Sequence, residues 1–389
     1  MVKEIVFHLG DCKTGTTSIQ SALAEARFSA AGRTWIYPTR MNHIPVADVL
    51  RGDPDPALRH ERWSRLAERI TAASEDTAII SAETFEFVRP EALAEAISTY
   101  LPGFDGRMRL ITYIRPHAER FVSTYAEKSK QGEFFGPLDD GFRDFLSRRR
   151  LTYKPRLTRW KSVFGDAYEV RPMIRDLLPG GDVVTDFLNF AFPGADLSLE
   201  KGASDNESLS VADILALQRL HRALSDSPSY PDDVMRALGW NLATFLGTLP
   251  KPDTARKPRL YRALAETIRN DCIEDAQALD ATFFAGTPYA GGHMARALDR
   301  AVDSAPGSPV SMAIEDYYSP DALRMLDGIT LLLRRVIEAD PKHFRQCVRP
   351  ESLRPEWMRT PEIQSLDDAA PRASGMRSLL AGAIGRFRR

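Results

Sequence analysis

The chain has 389 residues, enough for one or two sizeable cores, and is 43% hydrophobic and 27% charged. That is the composition of an ordinary globular protein and excludes a disordered or fibrous one. A net charge of −1 excludes a nucleic-acid binder that works through overall charge, so any affinity for anions has to be local. No apolar run approaches the ~20 residues of a membrane helix. Three scattered cysteines, Cys12, Cys272 and Cys347, suit neither a disulfide framework nor a zinc site. The sequence reads into a strand at once, with no signal peptide, so a reducing, cytoplasmic setting is expected.

The first strand is expected over 4–9, around Ile5-Val6-Phe7. Gly10-Asp11-Cys12-Lys13-Thr14-Gly15-Thr16-Thr17-Ser18 follows, and then Ile19, Leu23 and Ala26 on one helical stripe. A strand, a turn of small residues and a helix start present backbone N–H groups and a positive dipole end to an anion. Gly15 permits close approach of the backbone. Thr14, Thr16, Thr17 and Ser18 add hydroxyls, and Lys13 adds a charge. The chemistry implied is phosphate binding. The ordinary triphosphatase loop, G-x-x-x-x-G-K-[ST], has its lysine after the second glycine; here Lys13 precedes Gly15, and no Gly-Lys-Ser/Thr follows.

Four more strands are expected at 34–37, 77–81, 109–114 and 167–170. Trp63, Leu66, Ala67 and Ile70 form a helical stripe between the second and third strands, and Leu93, Ile97 and Leu101 between the third and fourth. This alternation predicts an α/β fold with a parallel sheet flanked by helices. Ligands of such sheets bind beyond the carboxyl ends of the strands. Glu83 and Arg115 directly follow strands, and His43 follows one more loosely; His8 reads as a packed core histidine. After Arg115, Pro116 suits a helix start and Gly132 its end. Ser123 lies eight residues beyond Arg115, so that a guanidinium fork and a hydroxyl are available to a second phosphate.

Between Phe145 and Gly165 stand Arg148, Arg149, Arg150, Lys154, Arg156, Arg159 and Lys161, with Tyr153 and Trp160 among them and no acidic residue. This is either a surface for an anionic acceptor such as an acidic polysaccharide, or a solvated helix face. Beyond about 205, helical periodicity dominates, at 209–224, 233–246, 259–279 and 320–338. The expected division is an α/β core over 1–205, a helical acceptor-side region over 206–348 and a loosely ordered basic tail over 349–389. Within the tail, 376–389 reads as a frayed end or a short basic amphipathic segment for peripheral contact with an anionic membrane.

Lys13-Thr14-Gly15-Thr16-Thr17 resembles the 5′-phosphosulfate loop of the sulfotransferases that use 3′-phosphoadenosine 5′-phosphosulfate (PAPS). Arg115 with Ser123, followed by Thr124-Tyr125, is similar to their 3′-phosphate motif. The resemblance covers roughly residues 1–210. It takes in Leu151-Thr152-Tyr153, Trp160, Phe164-Gly165, Val170-Arg171-Pro172, Asp186-Phe187-Leu188 and Asn206-Glu207-Ser208-Leu209.

It implies a P-loop-type nucleotide-binding fold and transfer of a sulfuryl group from PAPS to a hydroxyl or amine, by default on a carbohydrate, leaving adenosine 3′,5′-bisphosphate. The residues implied for the donor are Lys13, Thr14, Gly15, Thr16, Thr17, Ser18, Arg115 and Ser123, with Lys201-Gly202 as a further 3′-phosphate contact. Lys13 would stabilise the leaving group. Glu83 is favoured as general base and His43 is second, since branches of the family use either residue type. Neither a metal nor a nucleic-acid partner is expected.

Asp11 and Cys12 depart from the family, which has proline or other neutral residues where Cys12 stands. Ser18 stands where the cytosolic branch has an adenine-stacking tryptophan. The alternatives are a P-loop kinase-like phosphotransferase, which would need Mg²⁺ ligands, and a non-catalytic nucleotide- or phosphate-binding module.

Overall fold

A computed structural model describes residues 1–53, 55–200, 209–250 and 255–348. The described strands are β1 (Glu4–His8), β2 (Phe28–Ala30), β3 (Trp35–Ile36), β4 (Thr77–Ser81), β5 (Met108–Ile114), β6 (Tyr168–Pro172) and β7 (Leu197–Leu199). Five of them form one parallel sheet in the order β3-β4-β1-β5-β6. These are the five strands expected from the apolar runs. The antiparallel ribbon of β2 and β7 was not anticipated; three residues each are too few for an alternation to register.

The first eight helices are α1 (Thr16–Ala24), α2 (Ile44–Asp48), α3 (Pro56–Ala72), α4 (Pro90–Tyr100), α5 (His117–Lys130), α6 (Leu138–Ser147), α7 (Lys154–Phe164) and α8 (Val183–Ala191). Alternate strand residues face opposite sides of the sheet. Val6, Ile79, Ile111 and Tyr113 pack with Ile19 and Leu23 of α1 and Phe187 of α8. Ile5, Phe7, Ile80 and Leu110 face the other way, into a core shared with Trp63 of α3, Leu93 of α4 and Phe121 of α5. Both faces are therefore covered, which is why the strands read as near-continuous apolar runs.

The remaining helices are α9 (Val211–Leu224), α10 (Asp232–Thr248), α11 (Arg262–Leu279), α12 (His293–Asp303), α13 (Pro320–Ala339) and α14 (Pro341–Cys347). Helix α11 is continuous with the main core through Leu264, Ile268, Cys272 and Ala276. Helices α9, α10, α13 and α14 have a smaller apolar cluster of their own, around Leu224, Val234 and Ile337. Among the described residues, no helix is long and apolar enough to cross a membrane.

From β1 the chain runs to the β3–β4 side of the sheet; from β4 it crosses to β5 and on to β6. The connections after the neighbouring strands β1 and β5 therefore leave in opposite directions. That junction is where open α/β sheets form a ligand crevice, and it brings the segments after His8 and after Ile114 side by side.

Helix α10 meets the end of α5 at Gly239, where an added Cβ would collide with the carbonyl oxygen of Lys130 and crowd the ring of His221. A Cβ at Gly247 of the same helix would meet nothing. Gly239→Ala is therefore expected to destabilise the protein by about 1–3 kcal/mol in urea unfolding, the usual range for overpacking. Gly247→Ala is expected to be neutral or slightly stabilising, and equal effects of the two would show that this approach is not tight.

Candidate functional site

Past His8 the chain stays beside β5. Asp11 N donates to the Tyr113 carbonyl at 3.0 Å, and Tyr113 N to the Gly10 carbonyl at 2.8 Å. Lys13 sits in the left-handed region at φ 65°, which costs a non-glycine residue about 1–2 kcal/mol. Gly15 precedes α1 at φ 78°, and no side chain caps that helix. Its lack of a side chain is required by packing, since a Cβ would lie 2.6 Å from Val183 Cγ1. The Thr14 and Thr16 hydroxyls turn inward and donate to the Asp11 carbonyl. Thr17 and Ser18 are exposed at the helix start.

Asp11 is fully buried. Its Oδ2 accepts from Arg156 Nη2 of α7 at 2.6 Å, so this buried carboxylate has a cation of its own. Burial is the largest influence on this carboxyl and raises it to about 6 against the pull of Arg156. Beside it, Glu86 receives Arg120 Nη2 at 2.9 Å on both carboxylate oxygens. Burial would raise Glu86, but Arg120 and Arg156 outweigh it and the carboxyl is held below its usual range. Glu86 also accepts from Cys12 N at 3.0 Å, and Arg120 Nη1 donates to the Cys12 carbonyl. Both peptide groups of Cys12 are thereby clamped by buried charge. Burial pushes the Cys12 thiol up, so it stays neutral.

Above this layer, Lys13 and Arg115 come together. Arg115 Nη1 donates to the Lys13 carbonyl at 3.3 Å, and Tyr153 Oη holds the Arg115 carbonyl at 2.9 Å. Each cation also meets a carboxylate of α5: Lys13 Nζ lies 3.1 Å from Glu127 and Arg115 Nε 3.2 Å from Glu119. Ser123 is four residues from each and shares their stripe; it is half-buried. Glu127 further accepts from Lys130, Gln131 and Trp240 Nε1, at 2.7, 2.7 and 2.8 Å. Burial pushes Glu127 up, but Lys13, Lys130 and these hydrogen bonds hold it at about 2.

Glu83 opens a short 3₁₀ turn, Glu83–Phe87, directly after β4. It touches the loop, because a Cβ on Gly10 would lie 2.9 Å from Glu83 Cα. Its Oε2 accepts from buried Gln20 Nε2 at 3.0 Å, and the side chain is half-buried. His43 is placed differently. It is 2% exposed, and its Nδ1 accepts from Ser81 N at 3.1 Å. Burial lowers its pKa to about 3, so a neutral ring is fixed against the end of β4. His8 is a packed core histidine, with Nδ1 2.8 Å from Ser81 Oγ, Nε2 buried without a hydrogen-bond partner, and burial lowering it to about 3.

Of the basic run, Tyr153 and Trp160 belong to the core. Arg148, Arg156, Arg159 and Lys161 pair with Asp144, Asp11, Glu91 and Asp166. Lys201, Gly202 and the segment 376–389 lie outside the described residues. Sequence reasoning missed Glu86, Arg120 and Glu127. Glu86 and Arg120 are 34 residues apart and Lys13 lies 114 residues from Glu127, so only the fold joins these pairs. No protein-family model, curated protein or solved structure matches the chain, so the functional reading rests on this site.

Because Glu127 is held near 2 when folded, against an ordinary value of 4.5, its stabilising effect is present above about pH 4.5 and is lost as the pH falls toward 2. Glu127→Gln is therefore expected to flatten the fall in stability with acid by roughly 3 kcal/mol in all. Urea unfolding from pH 6 downwards measures this, and parallel curves for parent and variant would refute it.

Proposed function

We propose that the chain is a sulfotransferase that moves a sulfuryl group from PAPS to a hydroxyl or amine of an acceptor, with carbohydrate the default class. The observation that carries the reading is the meeting of the two phosphate-type motifs at one sheet junction, where Arg115 Nη1 donates to the Lys13 carbonyl at 3.3 Å. Two such motifs on opposite edges would have argued against a single nucleotide with 5′ and 3′ phosphates.

The residues fit such a donor. Helix α1 starts without a side-chain cap, Thr17 and Ser18 are exposed, and the Lys13 and Arg115 side chains are 33% and 29% exposed. When bound, PAPS supplies the electrophilic SO₃ group and a phosphate leaving group. In this reading, Lys13 and the α1 N-terminus offset the charge growing on the bridging oxygen. Arg115 and Ser123 hold the second phosphate. Glu83 takes the proton of the acceptor, with Gln20 orienting its carboxylate. Lys13 must turn from Glu127 to the donor, and the carboxylate then keeps Lys130, Gln131 and Trp240 as partners, so the exchange strands no buried charge.

Thermal stabilisation separates the readings. Adenosine 3′,5′-bisphosphate is expected to raise Tm, and ATP with Mg²⁺ is not; the opposite pattern would favour a kinase-like enzyme, and no response to either would sink the nucleotide reading. Lys13→Ala is expected to lower turnover by about 10²–10³-fold, as for loss of an oxyanion donor. Glu83→Gln should cost about 10²–10⁴-fold in kcat, the range of general base catalysis, with Tm and bisphosphate binding unchanged. Full turnover in that variant would move the base elsewhere.

A further inference from the structure

Once the ion pairs of the basic run are assigned, a smaller cluster of cations is left. Arg149 and Arg150 have no ion-pair partner among the described residues. The Arg150 guanidinium lies 5.1 Å from the centroid of the Phe87 ring, and that of Arg51 lies 5.0 Å from the same centroid. Two like charges thus converge on one aromatic side chain. Lys128 stands close by, 5.4 Å from the Phe145 ring. Its ammonium is lowered first by burial; Glu133 and Asp144 oppose this, while Arg150 and Arg148 add to it. The nearby acids are Asp48, which pairs with Arg51, Asp144, which pairs with Arg148, and Glu133. None of the three is an ion-pair partner of Arg149 or Arg150; Glu133 meets Arg236 instead.

The backbone adds a second, independent observation. Helix α6 ends with Arg149 N donating to the Leu146 carbonyl at 2.9 Å and Arg150 N to the Phe145 carbonyl at 3.1 Å. This is the closing geometry in which glycine is the favoured left-handed residue. Arg149 occupies that place at φ 51°. A charged side chain thus occupies a position where the backbone favours glycine, and in the chain it stands between two further arginines.

The location gives the cluster a use. Phe87 ends the 3₁₀ turn that Glu83 begins, so about four residues at 2 Å rise, roughly 8 Å, separate them along the turn. We propose that Arg149, Arg150 and Arg51 form a subsite for a linear polyanion, an acidic polysaccharide whose carboxylate or sulfate groups seat there while a neighbouring unit lies at Glu83. Its role as acceptor rests on the sulfotransferase reading; its binding does not.

An extended polysaccharide fits better than the other polyanions. Nucleic-acid grooves offer open aromatic faces for bases, whereas Tyr153 and Trp160 are buried and Phe87 is flanked by guanidinium groups. An anionic membrane would look for apolar anchors beside the charges, and here Phe145 and Leu151 are buried.

The test titrates the full chain at low salt with dextran sulfate, polygalacturonate and uncharged dextran, and with oligo-dT and phosphatidylserine vesicles as rival polyanions. The two charged polysaccharides are expected to bind, and uncharged dextran is not. Arg149→Gly and Arg150→Gln should each weaken that binding at least fivefold and reduce its salt dependence. Lys161→Gln, which removes a charge already met by Asp166, should not. Arg149→Gly should also raise Tm by relieving the left-handed arginine, so its loss of binding cannot come from unfolding. Unchanged affinity in the Arg149→Gly, Arg150→Gln double variant overturns the subsite, as does tighter binding of oligo-dT or vesicles than of either polysaccharide. Stabilisation by adenosine 3′,5′-bisphosphate is followed in the same samples. If polysaccharide binding behaves as expected without that response, the subsite stands and the sulfotransferase reading falls; the reverse result overturns the subsite alone.

Discussion

Asp11 puts a carboxylate in the core directly beneath a loop that gathers positive charge. Unpaired, such a group would neutralise itself or unravel its surroundings. Arg156 reaches it from α7 at 2.6 Å, and Glu86 and Arg120 add a second buried pair beside it. The four charges cancel. Breaking either pair would leave a buried charge without a partner, at about 3–5 kcal/mol. The pairs serve position more than stability, because the same volume filled with apolar side chains would fold about as well. They fix both peptide groups of Cys12, next to Lys13 with its left-handed backbone. Since the buried set is neutral, the potential at the mouth of the crevice is left to Lys13, Arg115, their carboxylate partners and the α1 dipole.

Helix α5 carries that mouth and ties it to the helical region. Its first residue, His117, lies 2.9 Å from Asp275 of α11. Asp275 also accepts from the backbone N–H groups of Tyr153 and Lys154, and Tyr153 holds the Arg115 carbonyl. At the other end, Lys130 meets His221 of α9, and Gly239 lets α10 close in so that Trp240 reaches Glu127. A shift of α10 or α11 would therefore be felt at Lys13 or Arg115 through one or two side chains. Helices α10 and α11 and the groups read as phosphate contacts belong to one packed unit.

The sheet was legible because each parallel strand is covered on both faces and so reads as an apolar run. The stripes Trp63–Leu66–Ile70 and Leu93–Ile97 marked α3 and α4 for the same reason. The ion pairs were not legible. Glu86, Arg120 and Glu127 look like surface residues of short helices, and nothing local says that a partner arrives from 34 or 114 residues away. Arg156 was visible as one of seven basic residues but not as the one turned inward, since helical phase could not be read there: Tyr153 and Trp160, which are core residues, looked like exposed aromatics among charges. Helix α12 lies outside the stretches of helical periodicity read from the sequence; Gly286, Gly291 and Gly292 stand just before it, and Gly292 is the left-handed residue that precedes it.

Residue type alone could not rank Glu83 and His43, since both are ordinary general bases and both follow strands. Their surroundings separate them. The His43 ring has its basic nitrogen spent on a backbone N–H, and burial disfavours its cation, so it cannot take a proton without losing a hydrogen bond that ends β4. Glu83 has one oxygen held by Gln20, a half-buried side chain and direct backbone contact with Gly10. A base has to be oriented and reachable at once, and of the two only Glu83 is both. The same contrast explains why a carboxylate is tolerable there: Glu83 is half-buried beside the loop, whereas Asp11 and Glu86 are buried and each need an arginine.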